Sequence, residues 1–127
     1  QTAVAPLIYQ QIYDSKDFYG GIKTVILVHS IDEYCTFSRT SYTKLGVTIP
    51  EEIKGDELNC YEVAAPYADL IIAVDSPSNN VSKKLMSLPG LKKHKKKVIS
   101  MKIPDGESPN YLETARVLNN ELTKHFG

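Results

Sequence analysis

The chain has 127 residues, 42% hydrophobic and 24% charged, with 15 Lys and Arg balancing 15 Asp and Glu. That is the size of one globular domain or a piece of one, and the balanced charge creates no global field to gather nucleic acid or an anionic membrane. No apolar run approaches the roughly 20 residues that span a bilayer, and no signal-type segment opens the chain, so neither a membrane nor a nucleic-acid partner is expected.

Apolar residues at Val4, Leu7, Ile8, Ile12 and Tyr13 trace a helical stripe that Pro6 can open in its first turn and Gly20-Gly21 can stop. A strand rich in β-branched residues follows at about 23–28, within "KTVILVHSIDEY". From about residue 30 to 54 neither helical nor strand periodicity persists, and the stretch reads as a long loop of the kind that is functional or disordered. Residues 57–67 read as a short helix ended by Pro66, and 69–74, "DLIIAV", as a second buried strand. An amphipathic helix over 79–88 places Val81, Leu85 and Leu88 on one face, and Pro89-Gly90 breaks it. A third strand spans 97–103. Asn110 and Glu113 have capping-box spacing ahead of a closing helix whose stripe is Tyr111, Ala115, Leu118, Leu122 and Phe126.

Helices alternating with near-continuous apolar strands predict an α/β fold of three layers, a parallel sheet with helices on both faces. Three strands are fewer than the roughly 5–6 of an average sheet. The chain is therefore read as a single partial Rossmann-like domain over 1–127, half of a doubly wound domain, with a second chain as the possible source of further strands. Its start at Gln1 without a Met fits a fragment or a processed product.

Ligands of open α/β sheets bind beyond the carboxyl ends of the strands, and all three predicted strands end on polar groups. His29, Ser30 and Asp32 follow the first, Asp75 and Ser76 the second, Asp105 and Gly106 the third. If the strands are parallel, these groups share one rim. His29 is the foremost candidate, because an imidazole at a strand end can donate to a hydroxyl or a phosphate and titrates near neutrality. His94, inside the run Lys92–Lys97, and His125 read as solvent-facing. The lysine run itself reads as a solvated helix-to-strand turn rather than a polyanion site, for it lacks interleaved aromatics. No glycine pattern makes a phosphate cradle. Cys35 and Cys60 match neither a disulfide framework nor a metal-ligand spacing, and Cys35 is taken as structural in a reduced compartment.

Several of these segments together resemble the N-terminal catalytic domain of the glycogen and starch synthases. In that family a helix opened by Gln-Thr-Ala, with a Pro-Leu-Tyr-like core, precedes a Lys-Thr-Val strand ending in Ile-His-Asn; the corresponding residues here are Gln1-Thr2-Ala3, Pro6-Leu7-Ile8-Tyr9, Lys23-Thr24-Val25 and Val28-His29-Ser30. "APYADLIIAVDSP" is similar to the family's Tyr-Ala-Asp strand leading to Val-Ser-Pro, and "ISMKIPDG" to its Asn-Gly turn. The closing "ETARVLNNELTKHFG" is similar to the stretch that introduces the family's second domain.

The resemblance implies a two-domain transferase that moves glucose from ADP-glucose or UDP-glucose to the non-reducing end of an α-1,4-glucan, without metal or cofactor, in the cytoplasm or, in a plant-like source, the plastid. It implies His29 as the residue that contacts the donor sugar. Ser30 stands where the family has Asn, Asp75 where Val-Ser-Pro is expected, and Asp105 where the turn has Asn. The glycine-rich donor loop and second domain are missing from these residues, so such a chain is expected to be inactive alone. Two other readings compete: a non-catalytic relative that keeps a glucan-binding or scaffolding surface, and a flavodoxin-like module suggested by "ADLIIAVDSPSNNVSKKL".

Overall fold

The computed structural model describes residues 2–13, 21–104 and 111–127. After a single 3-10 turn, Ala5–Ile8 (α1) continues as π-helix through Tyr13, and β1 is Val25–Val28. A 3-10 turn at Glu33–Cys35 leads to Thr36–Ser38 (β2), Arg39–Lys44 (α2), Glu57–Asn59 (β3) and Cys60–Ala64 (α3). Leu70–Asp75 (β4), Val81–Met86 (α4), a 3-10 helix at Pro89–Lys97, Val98–Lys102 (β5) and Tyr111–Phe126 (α5) complete the chain.

All six residues of β4 are buried, which only a central strand covered on both faces permits. It lies between the other two long strands in a sheet of order β1-β4-β5, and both pairings are parallel. The fold is α/β and Rossmann-like, as the sequence predicts. Because sheet order follows chain order, both crossovers step the same way, and connections of one hand then carry their helices to one face. On that face Ile26, Val28, Ile71 and Ala73 pack with Leu7, Val63, Leu85 and Leu91 in the larger core. On the other face Leu70, Ile72, Val74 and Met101 pack with Val117, Leu118 and Leu122 of α5. On that face Val25 of β1 packs against the cluster, while Leu27 stays 39% exposed.

Asp69 holds the amino ends of β1 and β4 together. Its Oδ2 accepts from the Thr24 backbone N–H at 2.8 Å, and its own N–H donates to the Thr24 carbonyl at 2.9 Å. On the helical face, Lys97 donates its Nζ to the carbonyls of Ala65 and Pro66, each at 3.2 Å, closing the carboxyl end of α3. A Cβ on Gly90 would lie 2.9 Å from the Glu62 Cβ, so this glycine permits the close approach of the 89–97 helix to α3.

Several expectations are corrected. The stretch from 30 to 54 is not a structureless loop: it begins an excursion built on the antiparallel ribbon β2–β3, with α2 between. Strands of three residues are too short to display a period, but polar anchors hold the excursion. Ser38 caps α2, the Tyr42 hydroxyl donates to the Leu58 carbonyl at 3.1 Å, and Arg39 donates to the carbonyls of Ile53 and Gly55 at 2.6 and 2.9 Å. The helix expected over 57–67 begins only at Cys60, because Asn59 caps it and residues 57–59 pair as a strand. The lysine run lies in two short 3-10 segments that meet at a kink at His94, and His94 is half-buried rather than solvent-facing. Burial, then Lys97 and Lys93, lower the pKa of His94. In α5 the packed positions are Val117, Leu118 and Leu122, while Ala115 and Phe126 are exposed. The capping position Asn110 and Gly20 lie outside the described residues.

Truncating Leu85, fully buried on α4, to Ala is expected to cost about 3 kcal/mol in urea unfolding. Leu27→Ala on the uncovered side of β1 is expected to cost about 1 kcal/mol or less.

Candidate functional site

The parallel pairing sets the carboxyl ends of β1, β4 and β5 on one rim. His29 follows β1 directly and is exposed. Its carbonyl accepts from the Asn79 side-chain amide at 3.4 Å, which joins the end of β1 to the loop after β4. That loop is a tight turn in which Ser76 and Asn79 exchange backbone hydrogen bonds at 3.0 and 3.1 Å, with Pro77 and Ser78 at its tip. Lys84 donates to the Asn79 Oδ1 at 2.9 Å, so one asparagine ties β1, the turn and α4 together.

Ser30 and Asp32 lie on the same exposed loop, the Ser30 hydroxyl donating to the Asp32 carboxylate at 3.2 Å. Asp32 also caps the 33–35 turn by accepting from the Tyr34 backbone N–H at 2.9 Å. Beneath the loop, the Tyr61 hydroxyl donates to the Ser30 carbonyl at 3.3 Å. Burial first, then the neighbouring Cys35, Cys60 and Asp32, raise the Tyr61 pKa, so this hydroxyl remains a neutral donor.

Asp75 has a different setting. Its side chain turns into the protein, where Oδ1 accepts from the Ser82 backbone N–H at 2.7 Å and Oδ2 accepts a short hydrogen bond from the Ser100 hydroxyl. Burial raises its pKa, but the bonds from Ser100, Ser82 and Val81 outweigh that and hold the carboxyl below its usual range. Both oxygens thus secure α4 and β5 to β4. Ser76 is half-buried at the turn. Asp105 and Gly106 lie outside the described residues.

Two clefts meet this rim. One, of about 520 Å³, runs along the outer side of β1 from Thr24 to His29, walled by Ala3, Ala5, Pro6 and Tyr61. The second, of about 800 Å³, lies over the ends of β4 and β5, with Asp75, Ser76, Asn80 and Lys102 among its walls. The expected single crevice is thus divided, with His29 in the first cleft, Asp75 and Ser76 in the second and the 76–79 turn between them. Asn79 and Tyr61, absent from the sequence reading, are the residues that build the rim. The pair Asn79-Asn80 ahead of an amphipathic helix carries a capping signal, met by Asn80, which accepts from the Lys83 N–H at 3.1 Å. Nothing in the sequence marks the long-range contact of Asn79.

The arrangement can offer an imidazole, hydroxyls and amides to a polar ligand. Among the described residues, no three His, Cys, Asp or Glu side chains gather to hold a metal, and no helix is long and apolar enough to cross a membrane. No family model, curated protein or solved structure matches the chain.

Asp75→Asn is expected to lower stability by about 1–2 kcal/mol at pH 7. Because the folded-state pKa is lowered, the carboxylate stabilises above its unfolded value, and that contribution is lost as the pH falls through the folded pKa. Urea midpoints of the wild type and Asp75→Asn should therefore differ at pH 7 and converge below about pH 4.

Proposed function

We propose that this chain is the His29-bearing part of a nucleotide-sugar-dependent α-glucan glucosyltransferase, inactive by itself, in which glucose passes from ADP-glucose or UDP-glucose to the end of an α-1,4-glucan. One observation carries the reading: His29 stands exposed at the carboxyl end of a parallel strand, at the head of a cleft, with its backbone held by the turn after the neighbouring strand. In that role a ring N–H donates to a donor-sugar hydroxyl and fixes the reacting carbon, and the imidazole supports the charge that develops there. Ser30 and Ser76 add hydroxyls suited to a sugar. The work belongs to the cytoplasm or a plastid, and the outer side of β5, which pairs with no strand among the described residues, is where a second chain would extend the sheet without filling the cleft beside β1.

A second reading, a glucan-binding or scaffolding relative without catalysis, is favoured by Asp75. With both carboxylate oxygens engaged by Ser82 and Ser100, Asp75 in the second cleft is committed to holding the fold, which suits binding there more than proton transfer.

Titration calorimetry with ADP-glucose, UDP-glucose and a maltooligosaccharide separates the readings. Binding of a nucleotide-glucose that His29→Ala abolishes supports the transferase part. Maltooligosaccharide binding without nucleotide supports the scaffold. Binding of FMN, or of none of the sugars, overturns both. In an enzyme completed by its missing parts, His29→Ala should reduce transfer at least about 100-fold; full activity would remove His29 from the site.

A further inference from the structure

The two cysteines, distant in sequence, are brought together by the excursion between β1 and α3. Strands β2 and β3 pair antiparallel with Thr36 opposite Asn59, Phe37 opposite Leu58 and Ser38 opposite Glu57. Just beyond the last pair stand Cys35, which ends the 33–35 turn, and Cys60, which opens α3, so the pairing of Thr36 with Asn59 brings the two cysteines together at the neck of the ribbon. The Thr36–Asn59 pair next to them holds its Cα atoms about 4.5–5.5 Å apart, and a disulfide spans about 4.4–6.8 Å. Both side chains enter the larger core, at 2% and 0% exposure, and Cys35 is close enough to Cys60 to raise its pKa. Both are free thiols in the structure.

We propose that Cys35 and Cys60 form a disulfide that closes the neck of the 36–59 excursion when the chain folds in the presence of a disulfide oxidant such as oxidised glutathione. The chemistry balances by two exchanges. A thiolate of the pair attacks glutathione disulfide, forming a mixed disulfide and releasing one glutathione thiolate. The second cysteine thiolate then displaces the other glutathione, so two protons leave the cysteines and their two electrons reduce one glutathione disulfide to two glutathiones.

Burial, reinforced by Cys35, pushes the Cys60 thiol up to about 12. Thiolate is therefore scarce in the closed fold, and exchange proceeds while the neck is open, during folding or local unfolding. The consequence reaches the rim. In the reduced chain the Cys35 thiol donates to the Ser30 carbonyl at 3.9 Å and to Asp32 Oδ1 at 3.7 Å, so the cross-link, which has no S–H, withdraws both donations from the loop that carries Ser30 and Asp32. The proposal stands independently of the chemistry assigned to His29.

The test refolds the reduced, denatured chain in a mixture of oxidised and reduced glutathione, blocks remaining thiols with an alkylating agent, and maps the peptides without reduction. The expected product is a monomer lighter by two hydrogen atoms, with the peptides bearing Cys35 and Cys60 joined, and a melting temperature that falls by about 10 °C on reduction. Cys35→Ser and Cys60→Ser should each abolish the joined peptide and the reductant-sensitive shift. A folded monomer whose two cysteines remain open to alkylation after denaturation, or carry only glutathione or interchain links, overturns the proposal. Because the joined peptide is read in the wild-type chain, poor folding of either serine variant does not blunt the result.

Discussion

The architecture depends on a strand that water cannot reach, closed at each end by an aspartate. Six buried residues from Leu70 to Asp75 form the middle of the sheet. Apolar burial stabilises that strand, but does not by itself align its neighbours. Asp69 does so at one end by accepting from the Thr24 N–H, and Asp75 does so at the other by accepting from Ser82 and Ser100. Each carboxylate replaces lost hydration with directed hydrogen bonds, the condition under which a carboxylate near a core is tolerable. The rim where His29 and the 76–79 turn meet is a consequence of this alignment.

The excursion between β1 and α3 shows another way of holding backbone without a large apolar face. Its ribbon is only three pairs long. Side chains therefore replace ladder bonds: Arg39 gathers carbonyls, Tyr42 reaches Leu58, and Gln11 exchanges a pair of 2.8 Å hydrogen bonds with the backbone of Thr48 to tie the excursion to the N-terminal helix. Tyr42 also meets Phe37 edge to face, with ring centroids 6.2 Å apart. The excursion is thus a satellite fastened by polar contacts at several points, its base resting on the main core.

Much of the central architecture was readable because its signals are local and strong. Continuous apolar runs identified β1, β4 and β5 to within a few residues, and Val81 and Leu85 identified α4. The β2–β3 ribbon was hidden because three-residue strands have no period to detect. Residues 57–59 run into the following helix in the sequence because no local signal sets Asn59 apart as its cap. At the site, the positions of His29, Ser30 and Asp32 followed from strand polarity. The inward turn of Asp75 did not, since its partners Ser82 and Ser100 lie on two other elements and leave no mark at a fixed spacing. The contact between Asn79 and His29 is hidden for the same reason.

The outer side of β1 is the least guarded border of the sheet among the described residues. Val25 to Val28 is an uncharged run without proline that pairs on one side only among the described residues, with Leu27 39% exposed. Soluble proteins commonly guard such borders with lysine, proline or a bulge, and here the nearest charge before the run is Lys23 and the nearest after it is Asp32. A border without those guards leaves its backbone groups to whatever enters the cleft beside Ala3, Ala5 and Pro6.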